Sequence, residues 1–377
     1  MNLASVDPQL ADLSNKLIYS AMAVYAIAML AHVFEWTFGG KDAVAVHSAG
    51  RTTLADTVAA AEEPAGAGRK VTVTVTSASG GTRTLTQTAL LDAGATVVTS
   101  GRNDEVVTDG PGAAGASGRG DLAGRIAVSL TALGALLHTG GVVSRGLSAE
   151  RWPWGNMYEF SCAFALAMVF AYLGLLAAKK NVRWLGLPVV VAALVTLAVA
   201  VGVLYTSSDQ LQPALQSYWL GIHVACAILA GGALYAGFAT TALYLGKDAY
   251  DRRRAAGLTT GPLRTPASVW QRLPAAATLD RTAYRINALV FPLWTFTIIA
   301  GAIWAEAAWG KYWEWDPKET WSFITWVAYA AYLHARATAG WKGRKAAYLA
   351  LGAFACWLFN YYGVNIFVTG KHSYAGL

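Results

Sequence analysis

Residues Trp309–Trp321 read WGKYWEWDPKETW, four tryptophans in thirteen positions between two apolar runs, 286–307 and 317–337. Within this stretch Asp316-Pro317-Lys318-Glu319 is a helix start: Asp at the N-cap, Pro at the first helical position, and Glu three residues after the cap to reach back to it. Capping alone accounts for those residue types. Each flanking run has about the 20 apolar residues that a helix needs to cross hydrocarbon. The quoted residues are therefore expected to form a turn at a membrane surface, where one helix ends and the next begins.

Working outward, similar runs occur at 17–36, 122–143, 157–178, 184–204, 218–246 and 346–368, eight in all. Composition agrees: 55% hydrophobic and 14% charged residues over 377 positions exceed what a soluble core uses. The expected fold class is all-α integral membrane, with about eight transmembrane helices and a Trp-rich extracytoplasmic loop. The first run does not follow the signal-peptide pattern, since Asp7 and Asp12 precede it and no small-residue cleavage site follows. Residues 1–36 are read as a retained anchor.

Lys and Arg concentrate in three short segments: 179–183, 247–285 with eight of them, and 342–345. The positive-inside rule places these in the cytoplasm. The segments 144–156, 205–217 and 308–316 and the tail 369–377 then face outward, as does the N-terminus. The formal charge of +7 is mostly these inner loops meeting anionic membrane lipid, and needs no nucleic-acid partner.

Residues 37–121 differ in composition, being rich in Gly, Ala and Thr, with seven Lys or Arg against nine Asp or Glu. Parity alone assigns them to the cytoplasm. The runs VTVTVT at 71–76 and TRTLTQT at 82–88 are expected to pair as a hairpin about Ser79-Gly80-Gly81. The remainder reads as flexible linker, and the whole as a soluble insertion without chemistry of its own. Residues 122–377 are left as the transmembrane core.

Cys162, Cys226 and Cys356 fall in apolar runs, and neither CxxC nor CxxCH is present, so the chain reads as neither a thiol oxidoreductase nor a c-type cytochrome. It carries no Walker or GxGxxG motif. The six histidines divide by depth. His223 and His372 fall at the outer surface, His334 near the inner end of its run, His32 near the inner end of the first, His138 in the outer part of the second, and His47 in the insertion.

Interfacial tryptophan belts are common, and an isolated Trp152 or Trp270 needs nothing more. Trp304, Trp309, Trp313, Trp315 and Trp321 are too dense for that. An aromatic platform suits a large flat π-system, and Lys311 and Lys318 could meet acidic groups at its edge. A porphyrin with two propionates has that shape and charge, and imidazoles are usual axial ligands of its iron. Each histidine taken singly is also consistent with an ordinary interfacial or helix-packing residue.

The run WAEAAWGKYWEWDPKETWSFITWVAYAAYLHAR, Trp304 to Arg336, closely resembles the WWD segment of the CcsA (ResC) family of cytochrome c biogenesis proteins. The resemblance extends to RWPWGNMYEF at 151–160, YWLGIH at 218–223 and GVNIFVTGKHSY at 363–374, and leaves out 37–121. It implies a haem-handling protein of the bacterial plasma (inner) membrane whose WWD segment, 304–321 with Asp316, binds haem b on the extracytoplasmic side. It implies His223 and His372 as outer iron ligands at the reaction site, and His334 as a ligand for haem held deeper in the membrane. The partners implied are a CcsB/ResB-type membrane protein and an apocytochrome c bearing CxxCH, whose thiols form thioethers with haem. The chain would then be part of a cytochrome c haem lyase or synthase. His32, His138, Tyr158 and Glu159 receive no secure role; Tyr158 and Glu159 would orient outer loops or satisfy the third helix start. The rival reading is a membrane exporter of haem or another small molecule with no part in ligation.

Overall fold

The computed structural model describes residues 6–38, 70–76, 82–88, 119–178, 182–210, 217–257, 270 and 273–371. His47, His372, the expected turn at Ser79-Gly80-Gly81 and most of the insertion lie outside the described residues. The chain divides into two compact units, Met1–Ala43 with Val107–Leu377, and Val44–Val106. In the smaller unit β1 (Lys70–Thr76) and β2 (Thr82–Thr88) pair antiparallel, Thr76 opposite Thr82 and Lys70 opposite Thr88. Alternating Val and Thr gives the period of two, and the β-branched side chains, that suit a strand.

The larger unit is helical. In order it contains α1 (Pro8–Phe38), α2 (Arg119–Ser148), α3 (Met157–Ala177), a 3₁₀ turn (Arg183–Leu185) leading into α4 (Gly186–Gly202), and α5 (Tyr218–Ala255). Then follow α6 (Ala276–Trp309), α7 (Pro317–Ala337) and α8 (Arg344–Leu358), the last running through a π-helical turn (Phe359–Gly363) into the short α9 (Val364–Phe367). Seven helical stretches among the described residues are long and apolar enough to cross a membrane, one fewer than the eight expected. The difference is α7. It is a full 21-residue helix, but Lys318 and Glu319 occupy its first turn, His334 and Arg336 its last, and its bulk comes from Trp321, Trp326, Tyr329 and Tyr332. Indole and phenol carry polar atoms that lower hydropathy without shortening the helix.

Helix ends also run past the apolar stretches. Helix α5 continues to Ala255, beyond the expected 246, because Lys247–Asp251 at 2.9 Å and Arg252–Asp248 at 3.0 Å are i,i+4 pairs that support a solvated extension. Helix α1 lies along α2 and α4, α3 against α4 and α5, α5 against α6 and α8, and α7 against α6 and α8. Ala21 and Ala28 of α1 and Ala127 and Ala135 of α2 are buried. Small residues suit contacts in lipid, where close van der Waals approach substitutes for the hydrophobic drive between helices.

A buried charge cluster stands at each end of α2. Near its start Glu35 accepts Arg183 Nε at 2.8 Å, and near its finish Glu159 accepts Arg145 Nε at 2.9 Å and Arg151 Nη1 at 2.7 Å. The position of Gly124 lies against Glu35 and Arg183. Twenty-one residues separate Gly124 from Arg145, which at the helical rise sets the clusters about 30 Å apart, a hydrocarbon thickness.

Candidate functional site

A cleft opens among α3, α5, α6, α7 and the π-helical turn, enclosing about 1220 Å³ of empty space with its mouth included. Its outer rim is built by helix termini. Asn156 caps α3, its side chain accepting the Glu159 N–H at 2.9 Å, and Asp316 and Glu319 form the expected capping box on α7. The C-cap of α6 is Gly310, left-handed at φ 74°. Between Gly310 and Pro317 the chain makes the Trp-bearing turn.

His223, on α5, lies on the cleft wall. Its Nδ1 is 2.9 Å from the Thr297 carbonyl of α6. A carbonyl only accepts, so Nδ1 is the donor. That is the kind of orienting bond used by metal-ligating imidazoles. Trp304 lies nearly parallel to the imidazole at 6.0 Å and 12°. Beneath the ring Gly301 is required, since a Cβ there would stand 2.8 Å from Cε1 and Nδ1.

Of the five expected tryptophans, Trp304 and Trp313 line the cleft. Trp309 backs Trp304 edge-on at 4.9 Å, Trp315 meets Trp313 edge-on at 5.6 Å, and Trp321 lies against Phe359 at 4.3 Å. Trp315 is 66% exposed and holds φ at 59°, a left-handed conformation that is costly for a bulky side chain and concentrates at functional sites. Sequence reasoning passed over Trp154, Trp294 and Trp357, which also line the cleft. Trp154 stacks on Trp152 at 5.2 Å; the RWPW run was the signal for it.

Lys318, expected at the edge of a bound ring, is on the wall, and its Nζ donates to the Asn360 carbonyl of the π-helical turn at 2.8 Å. Lys311 is exposed and pairs with Glu314 at 2.5 Å. Asp316 does not line the cleft; it is buried at the rim, and its Oδ1 accepts the Lys371 N–H at 2.7 Å.

His334 lies outside the cleft. It is exposed near the end of α7, with Nδ1 3.4 Å from Thr338 Oγ1, and eighteen residues separate it from Asp316, about 27 Å of helix. His138 is fully buried, with Nδ1 3.4 Å from the Tyr25 hydroxyl. His32 is fully buried between Glu35 and Thr131. Both are helix-packing residues. Glu159, given no secure role by sequence, is a hub: besides both arginines it accepts the Gly155 N–H at 2.9 Å, so the loop that bears Trp154 is tied to α2 and α3 through one carboxylate. An acidic residue three positions after a cap, at the start of an apolar run, was the available signal, because an unpaired carboxylate is not tolerated in a span.

Residues 154–372 match the family model described as cytochrome C assembly protein. Among curated relatives, a cytochrome c biogenesis protein CcsA of Synechococcus sp. (strain JA-2-3B'a(2-13)) is 39% identical over 305 residues, covering 67% of this chain and 84% of the relative. That of Gloeobacter violaceus is 35% identical over 289 residues, covering 66% and 85%.

Proposed function

The chain belongs to the cytochrome c assembly protein family, and from that premise we propose that it receives haem b as cargo and holds it in the cleft. It presents the ring, on the extracytoplasmic side of a bacterial plasma membrane, to the CxxCH segment of an apocytochrome c, working with a CcsB/ResB-type partner. His223 and His372 are the outer iron ligands, the WWD segment with Asp316 frames the ring, and His334 serves an inner position on the way out. Residues 122–377 form the haem-handling core, 1–36 an anchor, and 37–121 an accessory segment. The observation that carries this reading is His223: on the cleft wall, its Nδ1 held by the Thr297 carbonyl and its ring parallel to Trp304.

In the ligation each cysteine S–H adds across one haem vinyl group. An S–C and a C–H bond form while the S–H bond and the vinyl π bond break, with no net oxidation or reduction. The chain contributes position and shelter, holding ring and peptide in near-attack geometry. The Lys318 side chain on the wall offers N–H donors that suit a propionate. An exporter without a ligation role gains nothing by holding its cargo after crossing, and the cleft with His223 beside Trp304 favours ligation for that reason.

Co-expression with the presumed partner and a c-type cytochrome reporter tests this. Covalent haem in the reporter should fall to background in His223→Ala and return in part when imidazole is added to fill the axial position. Full maturation in that variant without imidazole would remove His223 from the site.

A further inference from the structure

Asp316 serves both the start of α7 and a distant residue. Oδ2 accepts the Lys318 N–H at 3.1 Å, which is the helix cap. Oδ1 accepts the backbone N–H of Lys371 at 2.7 Å, from a residue 55 positions away near the other end of the core. The contact is close enough to specify glycine at the adjoining position, because a Cβ on Gly370 would stand 2.6 Å from Oδ1 and 3.2 Å from the Pro317 ring. Lys371 adds its side chain to the same loop. Its ammonium pairs with Glu314 and lies 5.8 Å over the Trp309 ring. A cap needs one oxygen, and Ser or Asn caps a helix about as well as Asp. A second oxygen turned toward the tail is therefore not explained by the start of α7.

We propose that Asp316, with Gly370 and Lys371, is a positioning site that fastens residues 370–371 to the Trp-bearing loop and thereby serves His372, the next residue in sequence. The proposal rests on the haem reading of the cleft and deepens it. Asp316 stands at the rim and does not line the cleft; it acts on ligation through the histidine. Fastening the tail beforehand removes much of the ordering entropy that a ligand on a loose chain end would lose on binding. The backbone N–H bond to a charged acceptor is the strongest element of the latch.

Asp316→Ser and Asp316→Asn each keep one capping acceptor but have none left for Lys371, and Gly370→Ala pushes the tail off Oδ1. These variants are compared in the full chain, co-expressed with its partner and the reporter, alongside His372→Ala. Membrane protein level, covalent haem in the reporter and the response to imidazole are read. The expected result is near-normal protein level with maturation lowered about tenfold, the scale of one hydrogen bond to a charged group, and at least half restored by imidazole, as for His372→Ala. Wild-type maturation in Asp316→Ser and Gly370→Ala, or a loss that imidazole does not relieve, overturns the latch while leaving the ligand histidine standing. Normal maturation in His372→Ala overturns the underlying ligand reading instead, and the latch with it. If the Asp316 variants fail to accumulate, Lys371→Pro is compared with Lys371→Ala, which loses the same ammonium contacts but keeps the N–H; the difference between them isolates the N–H donor with the cap intact and decides on the same readouts. Failure of all of them to accumulate would make the contact a folding element and reject the proposal.

Discussion

His32 and His223 each have Nδ1 held by an oxygen, yet they stand in opposite situations. His32 is fully buried, with Nδ1 3.3 Å from Glu35 Oε2 and Nε2 3.5 Å from Thr131 Oγ1, and Glu35 is itself bound by Arg183. His223 has Nδ1 on a backbone carbonyl and its ring on the wall of a cleft, against Trp304. In the first case the protein has closed around the imidazole with side-chain partners of its own. In the second it holds Nδ1 on a backbone carbonyl and sets the ring along the space of the cleft. A histidine in a membrane span becomes a ligand candidate through that space, and residue type and depth alone do not reveal it.

The charge clusters extend the contrast and give the largest expected effect. Removing one partner of a buried ion pair leaves the other uncompensated, at about 3–5 kcal/mol, so Glu35→Ala and Glu159→Ala should both lower thermal stability in detergent, Glu159→Ala the more because it pairs with two arginines. Only Glu159 also holds the cleft, through the Gly155 N–H at 2.9 Å. Glu159→Ala is expected to reduce haem retained per folded protein, whereas Glu35→Ala leaves that ratio unchanged. Equal haem ratios in the two variants would dissolve the distinction between a closed end and a working end.

Next in size is the comparison of His334 with the tryptophans of the rim. His334→Ala should reduce haem copurified with the chain and its partner to less than half, because supply through the inner position fails. Trp313→Ala should block maturation while haem still loads. Low-temperature spectra check this, with the tryptophan variant keeping an inner-site signal that His334→Ala lacks. Wild-type haem content and maturation in His334→Ala would reduce that histidine to a surface residue of α7.

The smallest effect is expected from the other unit. Replacing 45–115 by a short Gly/Ser linker should leave maturation above half, a shift of less than about twofold, since low hydrophobicity and linker composition argue against a packed role. Complete loss at normal protein level would give the insertion a function.

Much of the helical order was legible because apolar length is a strong signal in a membrane protein. The start of α7 was legible to the residue, since Asp316, Pro317 and Glu319 form a local code that does not depend on neighbours. Local code failed where stability comes from elsewhere. The charged end of α5 was set by i,i+4 pairs beyond its apolar part. The cleft was half legible. Trp304, Trp313 and His223 stood out by density and depth, but Trp294 and Trp357 lie in runs where an aromatic residue is unremarked, and they reach the cleft through helix contacts that no spacing encodes. The double use of Asp316 was hidden for the same reason, as its second partner is 55 positions away.

The most direct test of the central claim, that the cleft beside His223 holds haem, is the absorption spectrum of the detergent-purified chain with its partner for wild type, His223→Ala and His32→Gln. The account predicts a haem signal in wild type and in His32→Gln, with bands of six-coordinate iron, and in His223→Ala a weakened or shifted signal that added imidazole returns toward the wild-type form. A His223→Ala spectrum indistinguishable from wild type, in intensity and band position, would contradict it.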